Sequence, residues 1–174
     1  EPLLALPVGR GALILGKMFA TAAFMAASLL LSLIMFGFVL RFVSLEALGM
    51  SANFGWSIVF GIVGVMLAFV PLGAALMTVV ASFARTNREA QSSLSIVLFV
   101  PLAPVLFAFL SGTKPNAALM FVPSLSQHLL ATNLLRGDPI PLAHIVISAS
   151  TTLVLGALLA FVAVKLYQRE AILG

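Results

Sequence analysis

Long apolar runs, separated by short polar stretches, set the pattern of the chain. Lys17 and Arg41 bracket the first uncharged run, and a turn-rich stretch at residues 49–55 precedes the second. A helix needs about 20 mostly apolar residues to cross a bilayer, and each run is close to that length. The runs predict four membrane-spanning helices, over residues 18–40, 56–83, 93–110 and 142–164.

A fifth apolar stretch, residues 117–135, is a poor candidate for a span. Crossing would place four residues unsuited to hydrocarbon inside the bilayer: Pro123, Gln127, His128 and Asn133. Irregular backbone and polar groups are tolerated at that depth only where protein or water covers them. The stretch therefore predicts a re-entrant helix, or one that lies at the outer membrane surface.

The basic residues test this arrangement, because cytoplasmic loops carry an excess of Lys and Arg. With four spans and a cytoplasmic N-terminus, the inner side holds six basic residues: Arg10, Lys17, Arg85, Arg88, Lys165 and Arg169. The outer side holds three: Arg41, Lys114 and Arg136. A fifth span would change the counts to five against four. The pattern therefore favours four spans with both ends of the chain in the cytoplasm.

Composition agrees with an integral membrane protein. Of the 174 residues, 62% are hydrophobic and 8% are charged, and the mean hydropathy is +1.22. A soluble domain carries about 25% charged residues, so this chain cannot cover a water-exposed surface. Its net charge of +4 comes from scattered residues, which do not form the clustered basic face that nucleic-acid binding requires. Cysteine is absent, which excludes disulfides and thiolate metal sites.

The stretch GALILGKM, residues 11–18, matches most of the phosphate-binding motif G-x-x-x-x-G-K-[ST]. The motif ends on a hydroxyl that binds magnesium, whereas Met18 offers a thioether. The residues between the two glycines are apolar, and no charge follows Lys17 until Arg41. We interpret Lys17 as a charge at the mouth of a membrane helix, and we expect no cofactor on this chain.

The predicted spans contain no Asp, Glu, Lys or Arg, so they lack the charged relays on which many carriers depend. His128 and His144 are isolated from each other, and no protease or esterase motif is present. The chain is therefore not expected to be an enzyme. Pro71, Pro101 and Pro104 lie inside predicted spans, where the missing backbone N–H can kink a helix.

Residues 1–16 combine a short apolar surface with helix breakers. Leu3, Leu4 and Val8 supply apolar side chains that can dock in a groove. Pro7 breaks the helix before the chain turns towards the membrane. This shape suits a segment that docks on a partner and moves as a rigid body. A plain interfacial anchor helix would have the same shape, so the residues leave both interpretations open.

Four stretches together resemble one protein family. The opening EPLLALPVGRGALILGKMFA is similar to the cytoplasmic coupling segment and following helix of type-2 ATP-binding-cassette (ABC) exporter permeases, with Gly9 in place of the usual Ser. ARTNREAQSSLS and KLYQREAILG resemble the second cytoplasmic loop and the closing residues of the sodium-efflux-permease branch. VPSLSQHLLATNLLRGD resembles the outer Pro-x-Leu-Asn-Gln stretch of that branch, with Ser126 where Asn is expected.

The resemblance implies a fold and a set of partners. The fold is an all-α, polytopic helical bundle forming a single domain. It would contain the coupling segment and the last four helices of a six-helix permease half, so the chain would be a C-terminal fragment. Two halves, identical or different, would pair in the inner (cytoplasmic) cell membrane, in contact with lipid. Each half would bind a cytoplasmic ABC ATPase that holds the ATP and the magnesium.

The resemblance also implies that the chain couples ATP hydrolysis by that separate subunit to the efflux of a substrate. The residues expected at the ATPase-coupling surface are Glu1, Leu3, Leu4, Pro7, Val8, Arg10, Lys17, Arg88, Glu89 and Gln91. A structural or assembly membrane protein is an alternative. A secondary carrier is another, and the missing intramembrane carboxylates disfavour it.

Overall fold

The computed structural model describes residues 10–39, 42, 55–84, 86–112 and 116–170. Every regular element in these residues is a helix, which confirms the predicted all-α class. The α-helices are, in chain order, α1 (Arg10–Val39), α2 (Trp56–Leu67), α3 (Phe69–Phe83), α4 (Asn87–Ser111), α5 (Leu125–Arg136) and α6 (Leu142–Glu170). A 3-10 helix, Ala117–Phe121, lies between α4 and α5.

Four helical stretches are long and apolar enough to cross a membrane: Gly11–Val39, Trp56–Phe83, Arg88–Leu110 and Leu142–Leu166. The first is formed by α1, the second by α2 and α3 together, and the others by α4 and α6. Large apolar side chains such as Phe24 and Phe109 are exposed on them. Such surfaces suit lipid tails, which are as apolar as the side chains. The predicted polytopic membrane protein is confirmed.

The first helix begins at Arg10, ahead of the predicted span. Its N-terminal turns therefore include the end of the predicted coupling segment, and Lys17 lies inside the helix at an exposed position. Ile14 is buried in a cluster with Ala75 of α3 and Ala163 of α6. One side of this part of the predicted coupling segment is thus packed against the bundle. The residues before Arg10 lie outside the described part of the chain.

The second span is interrupted at Ala68, between α2 and α3. Pro71 explains this position. Its nitrogen carries no hydrogen, so the carbonyl of Leu67 lacks the donor that a continuous α-helix would provide. In contrast, α4 runs continuously through Pro101 and Pro104. Pro71 is therefore associated with a break in its span, whereas Pro101 and Pro104 lie within one continuous helix.

The helix that contains the third predicted span begins before that span, because α4 starts at Asn87. The hydroxyl of Thr86 caps the helix by accepting a hydrogen bond from the backbone N–H of Glu89 at 3.2 Å. A carboxylate in the first turn also suits the positive end of the helix dipole. Arg88, Glu89 and Gln91, which the family resemblance places in a loop, occupy the exposed first turns of α4.

The centre of the bundle is the packing of α3 along α6. A Cβ atom added at Gly156 of α6 would lie 3.1 Å from the backbone nitrogen of Leu72 and 3.2 Å from its Cα atom. Helix backbones approach this closely only where the side chain is very small, which is a common way to pack helices in membranes. Both α1 and α4 also pack against α3, so α3 and α6 form the frame on which the other elements are arranged.

Residues 117–136, called the short-helix segment below, comprise the 3-10 helix and α5. The 12 residues of α5 extend roughly 18 Å at about 1.5 Å per residue, well short of the roughly 30 Å hydrocarbon core. The segment packs against α2, α4 and α6. It is therefore two short helices joined by a bend, rather than one helix over residues 117–135.

Candidate functional site: a buried polar cluster

Polar side chains lie buried between α5 and α6. The cluster consists of Ser126 and Gln127 from α5 and of Ser148 and Thr152 from α6, each at most 2% exposed. These four are the buried polar residues within the described part of the chain. Buried polar groups cost free energy unless they are hydrogen-bonded, so their bonding partners define what the cluster does. It is called the polar cluster below.

The side-chain amide of Gln127 is at the centre of the polar cluster. Its Nε2 donates to Thr152 Oγ1 at 2.7 Å and to Ser148 Oγ at 3.3 Å. Its Oε1 accepts from the backbone N–H of Ser124 at 2.6 Å and from Ser126 Oγ at 3.2 Å. Because a backbone N–H can only donate, the contact with Ser124 identifies the oxygen end of the amide. All four hydrogen-bonding positions of the amide are then used.

The hydroxyl groups complete the polar cluster. Ser148 Oγ donates to Ser126 Oγ at 2.8 Å, and Thr152 Oγ1 donates to the Ser148 carbonyl of its own helix at 2.6 Å. Ser148 and Thr152 are one helical turn apart, so a single face of α6 presents both hydroxyls. The amide of Gln127 meets this face from α5, across sequence separations of 21 and 25 residues.

Ser124 forms the bend between the 3-10 helix and α5. Its φ of 71° and ψ of −53° are rare for a residue with a side chain. Such a conformation costs about 1–3 kcal/mol and persists only where its surroundings hold it. Its N–H donates to Gln127, and its hydroxyl donates to the carbonyl oxygen of Pro101 in α4 at 2.6 Å. The bend is therefore held from both α4 and the polar cluster.

Apolar packing supports the same segment. Met120 of the 3-10 helix is fully buried, and its carbonyl oxygen lies 3.4 Å from the hydroxyl of Thr151 in α6. It belongs to an apolar cluster whose other buried members are Ala108, Leu125, Leu129 and Leu130. Both polar bonds and apolar contacts thus seat the short-helix segment on the bundle.

The side chains of the polar cluster are suited to holding two helices in position. Its members are hydroxyls and one amide, and no hydrogen bond that we observe joins them to a charged group. Within the described residues, no group of His, Cys, Asp or Glu side chains could hold a metal ion. His144, near the start of α6, has a buried Nδ1 with no hydrogen-bond partner among the described residues. The cluster can fix the orientation of α5 relative to α6.

The predicted ATPase-coupling residues lie on other elements. Lys17 is exposed on α1, and Arg88, Glu89 and Gln91 are exposed on the first turns of α4. Arg10 begins α1. The remaining members of the predicted set, Glu1, Leu3, Leu4, Pro7 and Val8, lie outside the described residues. The coupling role of this set stays a prediction.

The polar cluster is not predicted by the sequence, although each member gives a signal. Gln127 stands in an apolar stretch where an amide is out of place, and Ser126 departs from the family pattern. Ser148 and Thr152 place two hydroxyls on one face of a predicted span. A buried amide needs several partners, so combining these signals could have paired Gln127 with α6.

The four apolar spans and the charge-poor packing between them define the chain as a polytopic, α-helical membrane protein. It belongs to the ABC-2 family of transporter proteins, because the model described as "ABC-2 family transporter protein" matches residues 1–168. The predicted ABC type-2 permease family, a family of transporter proteins, is thus confirmed.

One relative gives a more detailed comparison. The ABC transporter permease protein NatB of Bacillus subtilis (strain 168) is 29% identical over 146 residues. The alignment covers 80% of this chain and 37% of NatB, so the chain spans little more than a third of that relative's length. No solved structure matches the chain significantly.

Proposed function

We propose that this chain is part of the permease subunit of an ATP-driven exporter, in which a separate cytoplasmic ABC ATPase hydrolyses the ATP. The observation that carries the proposal is the family match over residues 1–168 on a chain with four candidate spans. A second permease half, identical or different, completes the proposed complex. Export of a substrate would follow from ATPase-driven movement of the helices.

The glycine and lysine stretch at residues 11–18 supports the placement of ATP on the partner. A phosphate-binding loop needs free backbone amides that point at the phosphates. Residues 14–18 lie beyond the first turn of α1, where the amides of a helix are bonded to its own carbonyls. The stretch therefore forms a helix surface instead of a phosphate cradle. The proposal assigns nucleotide and magnesium to the ATPase.

We orient the chain in the inner membrane with its N- and C-terminal ends in the cytoplasm. Successive spans alternate in direction, so the start of α1, the start of α4 and the end of α6 share one side. The inner-side basic residues, including Lys17, Arg88 and Lys165, fall on that side, as the positive-inside rule favours. The short-helix segment then lies on the outer side.

The proposed coupling surface joins the start of α1 to the first turns of α4. Ile14 supports this role, because it is buried against Ala75 of α3 and Ala163 of α6. A displacement applied to the start of α1 would reach the central helices through this contact. Leu3 and Leu4 would provide the apolar contact with the ATPase.

The test replaces Leu3 and Leu4 together by Asp in the full-length permease. Burying a Leu contributes roughly 1.5–3 kcal/mol, so the pair should account for most of a small docking contact. We expect normal membrane insertion, because the spans lie beyond these residues, but loss of co-purification with the ATPase and of the ATP hydrolysis of the complex. The matched control, Leu3→Met with Leu4→Met, keeps the surface apolar and should retain both.

Normal assembly and ATP hydrolysis in the Asp variant would contradict the coupling role. Failure of that variant to insert would instead favour an interfacial anchor helix. The anchor outcome would support the alternative function, a structural or assembly membrane protein.

A further inference from the structure

The hydrogen bonds of the polar cluster divide into two sets. One set crosses between α5 and α6, from Gln127 Nε2 to Ser148 and Thr152 and from Ser148 Oγ to Ser126 Oγ. The other set stays within one element. If α5 moved away from α6, the first set of hydrogen bonds would break and the second set would remain.

On α6, the hydroxyls have acceptors on their own helix. Thr152 Oγ1 donates to the Ser148 carbonyl at 2.6 Å, and Thr151 Oγ1 lies 2.8 Å from the Ile147 carbonyl oxygen. A helical Ser such as Ser148 can also turn its hydroxyl to the carbonyl one turn earlier. Separation from α5 would therefore leave no α6 hydroxyl donor without a partner.

On α5, the oxygen of the Gln127 amide is bonded within the short-helix segment, to the Ser124 N–H and to Ser126 Oγ. These bonds survive separation, because all their atoms move together. The 3.4 Å contact between the Met120 carbonyl and the Thr151 hydroxyl is also lost, but the larger loss falls on the NH2 group of Gln127, which gives up both of its partners. It would then need water, which can substitute for a protein acceptor at little enthalpic cost.

The packing of α3 on α6 is of a different kind. At Gly156 and Leu72 the two helices are in near backbone contact, and no side-chain hydrogen bond that we observe connects them. Water that entered this contact would therefore break no side-chain hydrogen bond there that it could replace. One face of α6 is thus suited to remain closed, and the face towards α5 is suited to open.

We propose that the polar cluster is a releasable latch: the short-helix segment separates from α6 at Gln127 during the working cycle, water enters between them, and the α3–α6 contact stays closed. Ser124 lies at the bend where such movement would begin, in a conformation held by the bonds to Gln127 and Pro101. The role of the latch in transport rests on the proposed function, whereas its opening does not.

The first experiment fixes the latch shut. Ser126→Cys and Ser148→Cys replace hydroxyls whose oxygens are 2.8 Å apart, a separation that allows a disulfide. The chain itself contains no cysteine, and any cysteine elsewhere in the full-length protein is first replaced by Ser. In the complex with its ATPase in lipid nanodiscs, mild oxidation should cause loss of most ATP hydrolysis, because the cross-link blocks a conformational step of the cycle.

Reduction with dithiothreitol should restore that activity, and the single variants Ser126→Cys and Ser148→Cys should not respond to oxidant. Parental ATP hydrolysis by the cross-linked complex would overturn the latch. Failure of the pair to cross-link would overturn its geometry. If no ATPase binds even to the reduced pair, the proposed function fails, and the second experiment still decides whether the cluster opens.

The second experiment measures opening without ATP or partner. Met120→Cys introduces a thiol on the buried side of the 3-10 helix of the short-helix segment, at a position that is 0% exposed. Its reaction with a charged maleimide is followed in nanodiscs, where both membrane faces are accessible. Adding Gln127→Leu removes the cross-helix donors at similar volume, and should speed labelling about tenfold. Thr132→Val is the matched control, because that hydroxyl bonds within α5 to the His128 carbonyl, and it should leave the rate unchanged.

A second reporter separates release from general unfolding. Ala75→Cys lies in the contact of α3 with α1 and α6 and is also 0% exposed. With Gln127→Leu, labelling should rise at residue 120 and stay at the parental rate at residue 75. No rise at residue 120 would overturn the latch. An equal rise at both positions would also overturn it, because Gln127 would then stabilise the whole bundle and not one movable contact.

Discussion

The two faces of α6 are held in opposite ways. Towards α3, Gly156 lets the backbones nearly touch, and no side-chain hydrogen bond that we observe crosses the contact. Towards α5, Gln127 donates hydrogen bonds to the hydroxyls of Ser148 and Thr152 on α6. The hydroxyl of Ser126, which is bonded to Gln127, accepts a further bond from Ser148. Lipid tails are as apolar as Leu, so close packing and hydrogen bonds, rather than the hydrophobic effect, must hold membrane helices together. This bundle uses each on a different face of one helix.

The difference indicates which of the two contacts can be replaced by contacts with water. A hydrogen bond to a protein hydroxyl can be replaced by one to water, whereas the dispersion contacts of a close-packed backbone have no comparable substitute. The predictions below are designed to break each face separately, beginning with the change expected to have the largest effect on stability.

The largest effect is expected from Gly156→Val. A Cβ atom at this position would lie 3.1 Å from the backbone nitrogen of Leu72, and a branched side chain must push α3 and α6 apart. Such overpacking costs about 1–3 kcal/mol, and we expect the upper end because the obstacle is backbone. Chemical unfolding in detergent micelles would measure the change in the free energy of unfolding.

Gly64→Val in α2 is the control for that substitution, because a Cβ atom there meets nothing within 4 Å. Its effect should be limited to helix propensity, which differs by under about 0.5 kcal/mol between Gly and Val. Equal losses in the two variants would show that the α3–α6 contact is not specially tight.

A smaller effect is expected from Thr152→Val, which removes a hydroxyl at nearly constant volume. Gln127 Nε2 would lose its 2.7 Å acceptor, at a cost of about 1 kcal/mol for an interhelical bond in a membrane protein. Thr132→Val in α5 removes a hydroxyl that bonds only within its helix among the bonds we observe, and should cost less. The same unfolding measurement compares them. If Thr132→Val proved the more damaging change, the cluster would not be the main polar contact of α5.

The smallest effect is the difference between two variants of Ser124. Ser124→Ala and Ser124→Gly both lose the hydroxyl bond to the Pro101 carbonyl. Only Gly adopts the φ of 71° without steric cost. After allowance for the greater backbone freedom of unfolded Gly, the Gly variant should be the more stable by about 0.5–1 kcal/mol. An Ala variant as stable as the Gly variant would mean that the bend stores no strain.

Much of the fold follows from the apolar pattern. Long charge-free runs require helices, since every backbone group in hydrocarbon must be bonded within its own segment. Gln127 and Pro123 marked residues 117–135 as a stretch that does not span, and the structure forms two short helices there. The start of α4 was less predictable, because the Thr86 cap extends the helix into polar residues beyond the apolar run.

The polar cluster depends on information that a local pattern lacks. Gln127 and Thr152 are 25 residues apart, and their meeting depends on the packing angle between α5 and α6. The break at Ala68 could be placed to within a few residues of Pro71, but Gly156 gives no sign in the sequence of which helix it faces. The local sequence pattern predicts the individual helices, whereas which helices contact each other depends on tertiary packing.

The order of synthesis gives the Gln127 pairing one further consequence. The ribosome makes α5 before α6, so when residue 127 leaves the translation machinery the hydroxyls of Ser148 and Thr152 do not yet exist. Until α6 has been inserted, the amide must stay at the wet edge of the membrane. The short-helix segment can therefore reach its final position only after α6 is in place, although it precedes α6 in the chain. A nascent chain stopped before Leu142 would have to keep the Gln127 amide bonded to water at the membrane surface.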